Sequence, residues 1–340
     1  MGQAGGHPAG IHMLATPGLD SFGMTREELR RKIFAMNFCL KRRQSDRFRS
    51  LDEKDAAALS KATHEFYRNT SDEGDLVKAL EARLNEDRSV IIPWIDAAFP
   101  LDGARVLEVG CGTGESTLAL AEQGASVTGI DVDAGAQAVA RERLRLHKLD
   151  AEFHNINAVD AAKALAGRQF DIVVFFAALE HMTLDERLAS MRATWSLLAP
   201  GGIWVVVEAP NRLWFWDGHT SMDNFYHWLP DELASRWGHR GSRAAFAEAF
   251  PKDAPFDPVH VARWGRGVSF HEFDLAFGDA RALDVVSNKR DFLLASNPLL
   301  WAHALVSRTR RYESFLEKLE PKVNRAFFRQ YLDIIIRKPA

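Results

Sequence analysis

Residues 106–109, Val-Leu-Glu-Val, run straight into Gly110-Cys111-Gly112-Thr113-Gly114-Glu115-Ser116. An apolar run this short suits a strand buried on both faces. Glycines at alternate positions let the backbone turn tightly and approach a ligand where a Cβ would collide. A dinucleotide fingerprint reads G-x-G-x-x-G. Here the spacing is G-x-G-x-G, and Glu115 stands where the third glycine of that fingerprint falls. The segment therefore predicts a strand, a glycine loop and a helix start, with a binding site at the strand's carboxyl end.

The chain beyond the loop keeps the same rhythm. After the strand at Val106 come strand candidates at Ser126–Ile130, Ala151–His154, Asp171–Phe176 and Ile203–Glu208. Helical stretches lie between them near Ser116–Gln123, Ala134–His147, Val159–Ala166 and Leu184–Leu198. Such alternation argues a parallel sheet with helices on both faces. The rhythm breaks over 209–267, which holds aromatics and turn-formers without a clean period, and then resumes. A short helix at Ser269–Phe277, a strand at Leu283–Ser287, a long helix at Pro298–Leu319 and a strand at Tyr331–Arg337 complete the pattern. The predicted fold class is α/β, a doubly wound Rossmann-like sheet of seven strands.

Before the sheet the chain reads as helical. Residues 1–23, rich in Gly, Ala, His and Pro, lack a basic start and apolar core and read as a disordered lead-in rather than a signal peptide. Residues 24–100 predict helices at Arg26–Gln44, Glu53–Asn69 and Asp75–Phe99, the last bent at Pro93. Residues 101–340 are left for the α/β domain, with 209–267 as an insertion. The chain has 43 Lys and Arg against 46 Asp and Glu, a near-even balance that gives no general attraction to nucleic acid or an anionic membrane. No apolar run reaches the roughly 18 residues of a membrane-spanning helix. Two cysteines, Cys39 and Cys111, make neither a disulfide framework nor a thiolate zinc site, and suit a reducing cytoplasm.

The glycine loop with Glu108 ahead of it resembles motif I of the class I S-adenosylmethionine-dependent methyltransferases. Val127-Thr128-Gly129-Ile130-Asp131 resembles that family's second-strand motif, and Asn157-Ala158 stands where it often has Asp-Ala. Phe170-Asp171 through Ala178-Leu179-Glu180-His181 resembles the fourth strand and its ending, and Leu198-Ala199-Pro200-Gly201-Gly202 the turn before the fifth. The resemblance implies S-adenosyl-L-methionine as cofactor and a closing antiparallel strand. It implies cofactor contacts from Glu108, Gly110, Cys111, Gly112, Thr113, Gly114, Asp131, Val132, Asn157 and Ala158. A carboxylate such as Asp131 accepts from both vicinal hydroxyls of a ribose. An amide at Asn157 keeps the carbonyl acceptor for an adenine amine.

The acceptor is less legible. The segment Phe176-Ala177-Ala178-Leu179 lacks the Asn/Asp-Pro-Pro-aromatic motif of enzymes acting on nucleobase amines, and no cysteine lies near the fourth strand for cytosine C5 chemistry. The resemblance therefore favours a small molecule, with oxygen ahead of nitrogen or sulfur as the attacking atom. Two further readings are a non-catalytic S-adenosylmethionine-binding protein and a protein methyltransferase. His181, just beyond the fourth strand, and His219 are the candidate catalytic residues; each is otherwise a structural histidine. Trp216, His227, Trp228 and Arg212 are candidate substrate contacts. Arg263 and Arg266 are weaker ones, open to simple solvation. Glu208 and Asn211 have ligand chemistry, but the fourth strand offers Glu180-His181 rather than an Asp; Asp217, His219, Asp223 and His227 also have it without a strong metal signature, and no metal is expected. Five of nine tryptophans fall in the insertion. They suit a packed core, a pocket wall or a contact between two copies, which leaves a homodimer open.

Overall fold

The computed structural model describes residues 46–68, 82–296 and 309–340. The lead-in, the helix expected at Arg26–Gln44, Cys39, and parts of the helices expected at Asp75–Phe99 and Pro298–Leu319 lie outside the described residues.

Seven strands form one sheet: β1 (Arg105–Val109), β2 (Ser126–Asp131), β3 (Glu152–Asn155), β4 (Phe170–Phe176), β5 (Leu198–Pro210), β6 (Asp284–Asn288) and β7 (Tyr331–Arg337). Their order is β3-β2-β1-β4-β5-β7-β6. β1 to β5 are parallel, and β7 runs antiparallel to both β5 and β6. The apolar runs are continuous because both faces are covered. Leu107, Val109, Phe175, Trp204 and Ile334 point into one core with Met191 and Phe273. Val106, Val174, Val205 and Ile335 point into the other with Ile92, Trp94, Leu118 and Leu144.

Helices are α1 (Glu53–Tyr67), α2 (Ile92–Ala98), α3 (Glu115–Ala121), α4 (Ala134–Leu146), α5 (Ala161–Ala164), α6 (Leu184–Leu197), α7 (Asp231–Gly238), α8 (Ala244–Ala249), α9 (Pro258–Trp264), α10 (Phe270–Phe277), α11 (Lys289–Ser296) and α12 (Thr309–Leu319). Leu59 of α1 packs on Val139 and Leu146 of α4, which brings the end of α1 towards the glycine loop. No helix among the described residues is long and apolar enough to cross a membrane.

Four local expectations need correction. The bend expected at Pro93 is a π-helical turn, Asp87–Ile91, just ahead of it; proline offers no N–H, so the turn before it widens. The helix expected at Val159–Ala166 is a 3₁₀ turn followed by the four residues of α5. β5 is longer than expected: past a bulge after Val206, Ala209 and Pro210 still pair with Leu332 and Tyr331. The insertion is not irregular. It holds α7, α8 and α9 around a small core of Tyr226, Phe246, Phe250 and Val261. Helices of six to eight residues span too few turns for a 3.6-residue period to show.

Candidate active site

The glycine loop caps the carboxyl ends of β1 and β2. Gly110 and Cys111 donate backbone N–H groups to the Ile130 carbonyl at 2.9 and 3.2 Å. Gly112 N–H donates to Oδ2 of Asp131 at 2.8 Å, and Asp133 N–H to its Oδ1 at 2.9 Å. Gly112 stands at φ +47°, and a Cβ there would meet nothing within 4 Å, so the loop leaves an open cradle above it. Gly114 at φ +84° starts α3, and a Cβ there would lie 2.8 Å from that of Ala140. Glycine is required at both, for different reasons.

Behind the loop lies a buried polar layer. Glu108 is fully buried and accepts from the hydroxyls of Ser116 and Thr117, so it ties β1 to α3 from behind the loop. Burial pushes its carboxyl up to about 7, against the pull of those two hydroxyls. Thr113 turns its hydroxyl to Glu115 at 2.9 Å, while its carbonyl accepts from Arg143 Nε at 2.8 Å. Arg143 also pairs with Glu115. Cys111 is buried, and burial raises its thiol, which removes it from nucleophilic chemistry.

In front of the loop lies a cleft of about 290 Å³. It is bordered by Gly110, Asp131, Val132, Ile156, Asn157 and Ala158 on one side, and by Ala177, Ala178, His181, Met182, Glu186 and Arg263 on the other. Val132 is 69% exposed beside Asp131, an apolar surface with no protein cover. Asn157 Oδ1 accepts from Val159 N–H at 3.2 Å and keeps a second lone pair. The far wall begins at Ala177, a non-glycine residue at φ +45°.

The turn after β4 is held carbonyl by carbonyl. Leu179 O accepts from Arg187 Nε at 2.8 Å, Glu180 O from Arg266 N–H at 2.8 Å, and His181 O from Arg263 at 2.7 Å. Arg263 also grips both oxygens of Glu186, at 2.7 and 2.6 Å, and holds that carboxyl down at about 2. Arg263 and Arg266 are thus neither merely solvated nor free for a ligand: they join the insertion to the β4 turn.

This turn sets Glu180 fully buried, with no hydrogen bond to either carboxylate oxygen. Its nearest partners are imidazoles. Nε2 of His219 is 3.7 Å from Oε1, and Nε2 of His181 is 3.9 Å from it. His181 Nδ1 lies 2.9 Å from the Arg263 carbonyl, so Nδ1 carries the proton and Nε2 the lone pair. Burial pushes Glu180 up to about 7; it lowers both imidazoles, opposed at His181 by the Arg263 carbonyl and at His219 by Glu180.

The candidate catalytic histidines are therefore brought together, around a carboxylate that the sequence shows only as the middle of Leu-Glu-His. The candidate substrate residues are not. Arg212 and Trp228 line a separate cleft with Tyr312 and Phe315. His227 is buried, 3.1 Å from Asp217, and takes Gly267 N–H on Nδ1. Asp217 is subject to burial, which raises its carboxyl, yet His227 and the Thr220 and Ser221 N–H groups hold it well below the usual range. Trp216 is partly exposed and bridges to Asn224, away from the cleft lining.

Part of the chain is similar to known proteins. Residues 106–202 match the family described as "Methyltransferase domain". The ubiquinone biosynthesis O-methyltransferase of Stutzerimonas stutzeri (strain A1501) is 37% identical over 119 residues, which is 35% of this chain and 50% of that protein. Its counterpart in Thiobacillus denitrificans is 36% identical over 129 residues, covering 38% and 54%. The chain thus spans about half the length of these relatives. Among solved structures, the CcbJ methyltransferase of Streptomyces caelestis matches at TM-score 0.32 and 28% identity over 36% of this chain and 51% of that one. The magnesium protoporphyrin IX methyltransferase of Synechocystis PCC 6803 matches at 0.36 and 20% identity over 45% and 68%. Over residues 106–202, the span that carries the glycine loop and Asp131, the chain is thus similar to a methyltransferase domain.

Proposed function

We propose that the chain is an enzyme that transfers a methyl group from S-adenosylmethionine to a heteroatom of a small molecule, with oxygen as the attacking atom. One observation carries this reading: the loop acid Asp131 and the polar residue His181 border the same cleft. The matched relatives are named O-methyltransferases, which supports oxygen. The near-even charge supports a small acceptor rather than nucleic acid, and the sparse cysteines support a cytoplasmic site.

The residues fit the cofactor. The open space at Gly112 gives backbone room, Asp131 offers a carboxylate for vicinal hydroxyls, Val132, Ile156 and Ala158 give an apolar bed for a purine, and Asn157 offers an amide. When bound, S-adenosylmethionine supplies an electrophilic methyl group on a sulfonium. The chain's part is to align the acceptor, exclude water and take charge of its proton. The Glu180, His181 and His219 group is where it offers lone pairs for that task.

The test is incubation of the purified protein with isotopically methyl-labelled donor and a metabolite extract. S-adenosylhomocysteine release with label on a small hydroxylated compound is expected. Tight S-adenosylhomocysteine binding without turnover on any acceptor leaves a non-catalytic binding protein instead, and label on a polypeptide leaves a protein methyltransferase.

A further inference from the structure

Glu180 poses an unsolved physical problem. An ionised carboxylate cut off from water and from hydrogen-bond donors is costly, and proteins answer it with a proton or a cation. Here neither oxygen has a hydrogen-bond donor from another residue, and the two groups that approach present ring nitrogens. His181 cannot donate from Nε2, because its proton is held on Nδ1 by the Arg263 carbonyl. A lone pair therefore faces the carboxylate. Such an arrangement suits a positive ion between them better than it suits the residues alone.

We propose that Glu180, His181 and His219 bind one divalent transition-metal ion, in a site with an open position towards the cleft. The three donor atoms lie within 4.8 Å of one another. Ligand atoms around a tetrahedral zinc with bonds of about 2.1 Å stand about 3.4 Å apart. The observed 3.7 and 3.9 Å carboxylate–imidazole separations need shifts of only a few tenths of an ångström, and the two imidazole nitrogens, within 4.8 Å of each other, need a closure of at most about 1.4 Å. Two imidazoles and one carboxylate are borderline donors that suit Zn²⁺ and its first-row neighbours better than Mg²⁺. The Arg263 carbonyl on His181 Nδ1 is the kind of outer partner that orients a ligating imidazole.

The surroundings make room for it. His219 comes from the insertion, and Gly265 at φ +113° lets it in: a Cβ there would lie 3.0 Å from His219 Cδ2. The nearby cation Arg187 is already spent on Glu272 at 2.6 Å. His181 borders the cleft that Asp131 borders. The binding site stands on this geometry; its use rests on the methyltransferase reading. An acceptor hydroxyl taking the open position would lose its proton to solvent more readily, because the cation stabilises the oxyanion that attacks the methyl group.

The experiment uses the full chain, stripped with chelator and dialysed. Zn²⁺ is titrated by calorimetry, metal content is measured by mass spectrometry, and Co²⁺ is added to read its visible absorption. One Zn²⁺ per chain is expected, with a Co²⁺ band of four- or five-coordinate type. His219→Ala and Glu180→Gln should each weaken Zn²⁺ by at least the roughly 10–100-fold seen when only an outer partner is lost. His219 is partly exposed, so His219→Ala keeps the test open if Glu180→Gln fails to fold. Absence of stoichiometric Zn²⁺, or equal affinity in a folded His219→Ala, overturns the proposal. S-adenosylhomocysteine is titrated on the same samples: binding of it without Zn²⁺ sinks the metal site alone, and Zn²⁺ without it sinks the cofactor reading alone.

Discussion

Asp131 Oδ2 accepts the backbone N–H of Gly112 at 2.8 Å, so one carboxylate both shapes the glycine loop and faces the cleft. Asp131→Ala should therefore cost affinity twice over. The loss expected for S-adenosylhomocysteine is about 1.5–3 kcal/mol, the scale for hydrogen bonds to a charged group. Asp131→Asn, which can still accept from Gly112, should lose less. Calorimetry giving wild-type affinity for Asp131→Ala would remove the residue from the site.

His181 and His219 should separate turnover from cofactor binding. Either alanine variant should reduce kcat by about 10²-fold or more at neutral pH. S-adenosylhomocysteine affinity should move only a few-fold, since the loop and Asp131 are untouched. Steady-state kinetics beside calorimetry read both quantities, and full turnover in both variants would leave the pair structural.

The sequence shows the first half of this site and hides the second, for a physical reason. Strand β1, its loop and Asp131 are legible because a short apolar run, buried on both faces, ends where the glycines begin. Glu180 sits in the recognisable Leu-Glu-His, but its isolation comes from elsewhere: Arg266 N–H takes its carbonyl, and His219 approaches from the insertion. No periodicity reports a contact between residues 180 and 219. Likewise Arg212, Trp216, His227 and Trp228 have plausible binding chemistry, yet their side chains go to a second cleft, a buried contact with Asp217 and the surface.

Glu108 gives stability a pH dependence of known sign. Its carboxyl stands near 7 in the folded chain, against about 4.5 for an exposed glutamate. The folded state therefore holds this proton more tightly than the unfolded chain, and its contribution is full below about 4.5 and lost as pH rises through 7. Glu108→Gln should flatten the fall in Tm between about pH 4.5 and 7. Parallel Tm curves for the two proteins would show that burial does not hold that proton.

The insertion should come apart on its own. Phe246 is fully buried in the small core with Tyr226, Phe250 and Val261, separate from the two cores of the sheet. Phe246→Ala should cost about 3–5 kcal/mol within that unit. Hydrogen exchange should accelerate across 226–264 while β1 to β5 stay protected. Acceleration spread evenly over the sheet would mean that the two parts unfold as one.

Arg263→Ala should loosen the same unit from its seat. Its pair with Glu186 is half exposed and worth at most about 1 kcal/mol to global stability. Its effect is local: exchange should rise at 181–187 and 258–266 with little change in Tm. A large fall in Tm without local acceleration would contradict this role.

The neck of the insertion has one more consequence. Val268 N–H donates to Pro210 O at 2.8 Å, Arg212 N–H returns to Val268 O at 2.9 Å, and a Cβ on Gly267 would lie 2.6 Å from Arg212 Cα. The chain leaves the sheet and rejoins it through a single doorway. Beyond that doorway, only the parts that do not carry His219, Arg263 or Arg266 can change length without disturbing a strand or the β4 turn. The packing of Tyr226, Phe246, Phe250 and Val261 is then free to change while the register of β5 on β7 stays the same.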